Sequence, residues 1–255
     1  MTTQKEKLLF VSHGGKGGVG KSYMSLAVTE ALLADGQQVA IVEADPTQPD
    51  VAQRYINDPN VTVGALSLNR AGDAENALAA FGEWLESSAS ADRVVVNLPA
   101  GAGETLDSQG DLLRALADAL RYRLVASYCL EKNRVATDEM ADSFASGLMS
   151  HVQPENRFII LPAYKGDPHS FEWMTHDARA AVLTAGAREI VFPALGNRGA
   201  LKKLEATPGR VGRLIVPPYP GCEAWHILDK ASVFRWHGAV MAAVAPIFEE
   251  GGKDE

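Results

Sequence analysis

Short β-rich apolar runs alternate along this chain with longer segments of helical periodicity, the pattern of a mostly parallel sheet covered by helices on both faces. Strands are predicted at Leu8 to Ser12, Val39 to Glu43, Val94 to Leu98, Leu124 to Tyr128, Phe158 to Leu161, Glu189 to Phe192 and Leu214 to Val216. Between them, Glu104 to Leu120 places Leu106, Leu112, Leu113, Leu116 and Leu120 on an apolar helix face, suited to covering the sheet or to meeting a second subunit. Glu131 to Met149 reads as another amphipathic helix, with a solvated first turn. Glu223 to Phe248 reads as a last one, carrying Trp225, Ile227, Leu228, Val233, Trp236, Val240 and Val244. The fold class is α/β, a doubly wound sheet of about seven strands. With no internal repeat or linker, residues 1–248 are expected to form one domain and 249–255 a frayed tail.

One stretch organises the rest. Gly14-Gly15-Lys16-Gly17-Gly18-Val19-Gly20-Lys21-Ser22 lies between the first strand and the apolar segment from Met24 to Leu33, where a strand turns into a helix. Gly15, Gly20, Lys21 and Ser22 satisfy G-x-x-x-x-G-K-[ST], the phosphate-binding loop. Glycines there let successive backbone N–H groups converge on an anion, and the helix adds its positive end. Lys21 is placed to neutralise β/γ-phosphates, and the Ser22 hydroxyl to hold Mg²⁺.

Inside the loop stands a second lysine, Lys16, and K-G-G-V-G-K-S resembles the deviant Walker A loop of the ParA/MinD family of P-loop ATPases. The resemblance implies ATP and Mg²⁺ as cofactors, bound by Gly15, Lys16, Gly17, Gly18, Val19, Gly20, Lys21 and Ser22. It also implies an ATP-bound homodimer in which Lys16 reaches the partner's phosphates. Asp45, after the second strand, matches the second aspartate of that family's D-x-D-P switch, which positions the attacking water; with Lys16 and Lys21 it forms the implied catalytic set. Starting the Asp45-Pro46 turn is the other role open to it. Glu43 replaces the first aspartate of the switch. Asn97 stands where the family has the Walker B aspartate; an amide can orient a magnesium-bound water but brings no charge, so slow hydrolysis is expected. Pro99 to Glu104 resembles the second switch. Together the resemblance implies a molecular switch, reset by hydrolysis.

A narrower resemblance joins Leu161-Pro162-Ala163-Tyr164, Ser170-Phe171-Glu172-Trp173-Met174 and Ile190-Val191-Phe192-Pro193-Ala194-Leu195 to the ParA-like TraL and StbB proteins of conjugative plasmids. It implies plasmid partition, positioning or conjugative transfer. Pro162 and Ala163 stand where many relatives carry a base-reading asparagine. Base recognition therefore shifts to Val216-Pro217-Pro218-Tyr219-Pro220, where Tyr219 suits stacking on a base or packing the turn.

Composition narrows the partners. With 46% hydrophobic residues the chain is globular, and a net charge of −8 argues against a surface that binds nucleic acid throughout. Arg198, Lys202, Lys203, Arg210 and Arg213 nevertheless cluster against Glu205 alone, suiting either an ordinary solvated face or nonspecific DNA. Four neutralised phosphates would give a salt slope of about −3.6. Cys129 and Cys222 are expected as reduced structural thiols, and no histidine shows zinc spacing. The N-terminal residues lack the long apolar region of a signal peptide, which predicts a cytoplasmic protein. The last helix ends in acidic residues, which predicts core packing rather than a membrane anchor. Two rivals remain: an ATP-dependent ligase acting on a small acid with the same loop, and a nucleotide-dependent adaptor that barely hydrolyses.

Overall fold

Strand order in the sheet is β3-β2-β4-β1-β5-β6-β7, and every pairing is parallel. The computed structural model describes residues 6–44, 49–65, 74–87, 92–99 and 101–249. In chain order the elements are β1 (Lys7–His13), α1 (Lys21–Ala34), β2 (Val39–Glu43), α2 (Asp50–Tyr55), β3 (Val61–Ala65), α3 (Ala74–Ser87), β4 (Arg93–Asn97), α4 (Ala102–Asp107), α5 (Gly110–Ala119), β5 (Tyr122–Cys129), α6 (Arg134–Ser146), α7 (Leu148–His151), β6 (Arg157–Pro162), α8 (Ala178–Thr184), β7 (Arg188–Phe192), α9 (Arg198–Ala206), α10 (Val211–Leu214) and α11 (Ile227–Val244).

Side chains alternate across each strand, so β1 sends Leu8 and Phe10 to one face and Leu9 and Val11 to the other. On the first face they join Met24 and Val28 of α1 with Val233, Trp236 and Val240 of α11. On the second they join Leu85 of α3, Leu113 of α5 and Met140 of α6. Burial on both faces is why the central strands read as unbroken apolar runs. The doubly wound α/β class is the observed one.

One strand of the expected set is replaced. Leu214 to Val216 is not a strand: Leu214 closes α10, and the buried Glu30 carboxylate accepts the amides of Val211 and Gly212 at 2.8 and 3.0 Å, capping that turn. The seventh strand is β3, an edge strand whose Val63 is exposed and whose Gly64 lies under the Trp84 ring. Two long helices are also broken. Glu104 to Leu120 divides into α4 and α5, and Glu131 to Met149 into α6 and α7. At Gly147, between α6 and α7, a Cβ would stand 2.4 Å from Asp107 Oδ1, so only glycine permits that approach. The last helix starts at Ile227 rather than Glu223 and ends in a 3₁₀ turn, Ala245–Phe248. Asp229, Val233, Trp236, Val240 and Val244 form its buried face, while Ile227, Leu228 and Phe234 are exposed. By length and composition alone, Ile227–Phe248 is apolar enough to cross a membrane, with mean hydropathy 1.2. Glu249, first residue of the expected tail, pairs with Arg188 at 3.0 Å; residues 250–255 lie outside the described residues.

Candidate nucleotide-binding site

The loop between β1 and α1 winds around the Lys21 ammonium, which donates to the carbonyl oxygens of Gly14 at 3.2 Å and Lys16 at 2.7 Å. Lys21 is buried, and that burial lowers its pKa, opposed by the neighbouring Cys129. Ser12 Oγ donates to the Lys21 carbonyl at 2.9 Å, pinning the start of the helix to the strand before it. Gly20 caps α1 with φ of 114°, and Gly18 has φ of 71°, left-handed conformations that give the loop its bend. Val19 is buried; Lys16, Gly17 and Gly18 are exposed, and Gly15 is half-buried. Tyr164 donates from its hydroxyl to the Val19 carbonyl at 3.1 Å, bracing the loop from the β6 end of the sheet. The two lysines of the loop therefore differ: Lys21 is turned into its own loop, and Lys16 is left at the surface.

At the neighbouring strand ends, Asn97 Nδ2 donates to Glu43 Oε2 at 2.8 Å and approaches Ser22 Oγ at 3.5 Å, while Ser25 Oγ donates to Asn97 Oδ1 at 3.3 Å. Glu43 Oε1 accepts the amides of Val51 and Ala52 at 2.9 and 2.7 Å, so one carboxylate joins the start of α2 to the end of β4. Burial raises the Glu43 pKa against the opposing pull of the amides and of Asn97. The motif marks Glu43 only as standing in for the first aspartate of the switch; its pairing with Asn97 is revealed by their register across β2 and β4. Asp45 lies outside the described residues.

These groups suit a polyphosphate with a divalent cation. The first turn of α1 has no acidic residue and its N-cap no side-chain cap, which leaves its amides open to an anion as far as the described residues go. The Ser22 hydroxyl and the carboxamide of Asn97, with Glu43 behind it, form an oxygen-rich set near the lysine.

The basic cluster does not stay together. Arg210 is buried, and its Nη2 donates to Asp58 Oδ1 at 2.5 Å while its Nη1 donates to the Leu33 carbonyl at 3.1 Å, so this guanidinium holds the fold rather than facing solvent. Lys203 is paired with Asp229. Arg198, Lys202 and Arg213 are exposed. Tyr219 sits in a turn at φ of 61°, with the Lys230 ammonium 4.4 Å from its ring centre. Both cysteines are free and buried, and burial pushes the Cys129 thiol up to about 12. Among the described residues no group of three or more His, Cys, Asp or Glu side chains is arranged to hold a metal.

Against known families, residues 10–169 match CbiA, the CobQ/CobB/MinD/ParA nucleotide binding domain. The chain belongs to this family. The CobQ/CobB/MinD/ParA match takes in the phosphate loop, Glu43 and Asn97, and stops short of the basic cluster and of α11. Protein MobD of Acidithiobacillus ferrooxidans is 22% identical over 198 residues, covering 75% of this chain and 80% of that protein. Similar solved structures include two from Aquifex aeolicus. The MinD cell division protein of Aquifex aeolicus has a TM-score of 0.46 at 14% identity, over 91% of this chain and 97% of that one. The MinC:MinD cell division protein complex of Aquifex aeolicus has a TM-score of 0.49 at 12% identity, over 91% and 96%.

Proposed function

We propose that this chain is an ATP-dependent switch: it binds Mg·ATP at residues 15–22, dimerises on ATP and hydrolyses it slowly. The observation that carries the reading is the division of labour between Lys21, buried within its own loop, and Lys16, exposed two residues after Gly14. A surface lysine in the middle of a phosphate loop is available to another subunit's phosphates, as the deviant Walker A resemblance implies. When bound, magnesium would neutralise charge on the β- and γ-phosphates. Ser22 would hold that ion, Asn97 would orient one of its waters, and Lys21 would exchange its carbonyl partners for phosphate oxygens. Asp45 is assigned to positioning the attacking water. Tied to Glu43 and lacking a charge of its own, Asn97 favours slow turnover, which suits a switch more than a metabolic ligase.

In this reading the ATP-bound dimer engages DNA or a plasmid partition or transfer protein in the cytoplasm, and the ADP form releases it. Arg198, Lys202 and Arg213 supply the exposed basic contacts, giving a salt slope of about −2.7 for three phosphates. Sedimentation with ADP, ATP and a non-hydrolysable analogue, with and without DNA, tests it. Lys21→Ala abolishes nucleotide binding, whereas Lys16→Ala keeps binding but loses ATP-dependent dimerisation and turnover. A Lys16→Ala protein that dimerises and hydrolyses like the wild type defeats the assignment. Single-turnover hydrolysis separates the switch from a non-hydrolysing adaptor.

A further inference from the structure

A cavity of about 500 Å³ opens beside the phosphate loop, and the side chains of His13, Glu104, Asp107, Glu139 and Asp142 line it together with Gly15. No lysine or arginine is among its lining residues. Three features give this acidic cavity a definite chemistry.

First, all three hydrogen bonds to Asp107 fall on Oδ1, from His13 Nε2 at 3.0 Å, Ser143 Oγ at 2.6 Å and the Leu148 amide at 2.8 Å. An amide oxygen would accept the same three donors, so this pin does not require a charged side chain. Second, His13 is wholly buried, and its Nδ1 has no partner among the described residues. Third, Glu139 Oε2 is also buried and unpartnered, and it stands against the loop: a Cβ at Gly15 would lie 2.4 Å from it. Of these two unpartnered buried atoms, the carboxylate oxygen of Glu139 accepts and cannot donate. What complements acceptors and carboxylates together is a group that only donates and carries positive charge, an ammonium or guanidinium.

We propose that this cavity is the docking socket for a basic side chain, arginine foremost, presented by a partner protein. The planar guanidinium has five donors in a fixed fork and engages several carboxylate oxygens at once, which a single ammonium does less well. Charge complementarity favours a basic partner segment, because the socket lies on a chain of net charge −8 and, among the described residues, no lysine or arginine lines it. A side chain seated against Glu139 touches the wall of the phosphate loop at Gly15, so occupancy is sensed beside the nucleotide. The socket shares Gly15 with the proposed phosphate site, but its carboxylates stand outside residues 15–22, so its occupancy does not require that reading to hold.

Fluorescence anisotropy with a labelled six-arginine peptide and the full chain tests this. Glu139→Gln with Asp142→Asn removes two carboxylates from the socket. Glu83→Gln with Glu86→Gln removes two exposed ones from α3, at the same change in net charge. The socket variant is expected to bind the peptide more weakly by about tenfold or more, and the α3 variant within about twofold of wild type. Equal losses in the two variants, or none in the socket variant, overturn the proposal. Spermidine displacing the peptide at equal molar concentration also overturns it, in favour of a free polyamine. If the double variant melts early, Asp142→Asn alone carries the comparison, since that side chain is exposed.

Discussion

Glu43 and Asn97 face each other in register across β2 and β4, and the amide of Asn97 donates a 2.8 Å hydrogen bond to the Glu43 carboxylate. Read along the chain, these are two separate departures from an aspartate-rich pattern. In space they are one arrangement: the carboxylate stands on β2 and the donor on β4. A carboxylate at both positions would set two like charges at hydrogen-bond distance in a buried place.

Asn97→Asp should therefore destabilise the nucleotide-free protein by about 1–3 kcal/mol, through a lost donor and a like-charge contact. Burial already raises the Glu43 pKa. A carboxyl whose folded value lies above its unfolded value loses stability as pH rises between the two, so the variant's deficit should be larger at pH 8 than at pH 5. Adding Glu43→Gln restores a single charge and recovers part of the loss. Urea denaturation of the two single variants and the double variant measures the coupling.

Asp58 and Arg210 form a pair whose side chains are 6% and 9% exposed. Arg210→Met leaves the Asp58 carboxylate buried without its partner, at a cost of about 3–5 kcal/mol. In the wild type, Arg210 foremost holds the Asp58 carboxyl below its ordinary range. Its stabilising effect is present above the unfolded pKa and is lost as pH falls through the folded one. Arg210→Met should accordingly flatten the acid limb of a plot of melting temperature against pH.

Glu30 is 3% exposed and accepts from the Tyr55 hydroxyl at 2.6 Å as well as from the two amides that start α10. Burial pushes its carboxyl up, but His237 at 3.5 Å, Tyr55 and the two amides outweigh this and leave it below its ordinary range. Glu30→Gln weakens these charge-assisted bonds and should cost about 1–3 kcal/mol. Hydrogen exchange is the discriminating measurement: the Val211 and Gly212 amides should exchange faster, while those of β1 change only with global stability.

Gly20→Ala meets two obstacles, the backbone at φ of 114° and the Tyr164 hydroxyl 2.2 Å from the new methyl. Loss of about 1–3 kcal/mol is expected, with weaker nucleotide binding. Removing the hydroxyl with Tyr164→Phe in the same chain should recover the steric part and leave the backbone part. Thermal melts of the single and double variants separate the two contributions.

The alternation of buried strands and helices, and the loop from Gly14 to Ser22, were determined by the sequence alone, because their causes are local. A strand covered on both faces needs continuous apolar residues, and a turn around phosphate needs glycines followed by lysine and serine. Tertiary structure decided what depends on partners distant in the chain. Leu214 to Val216 has the composition of a strand, yet the turn before it is capped by Glu30, 181 residues away from Val211, and runs helical. Val61–Ala65 is short, half-exposed and interrupted by Gly64, so its strand character comes from the edge of β2 that it pairs with. Arg210 looks like a member of a basic surface until Asp58, 152 residues away, takes it inward. The pairing of Glu43 with Asn97 was likewise invisible, since strand register is a property of the assembled sheet.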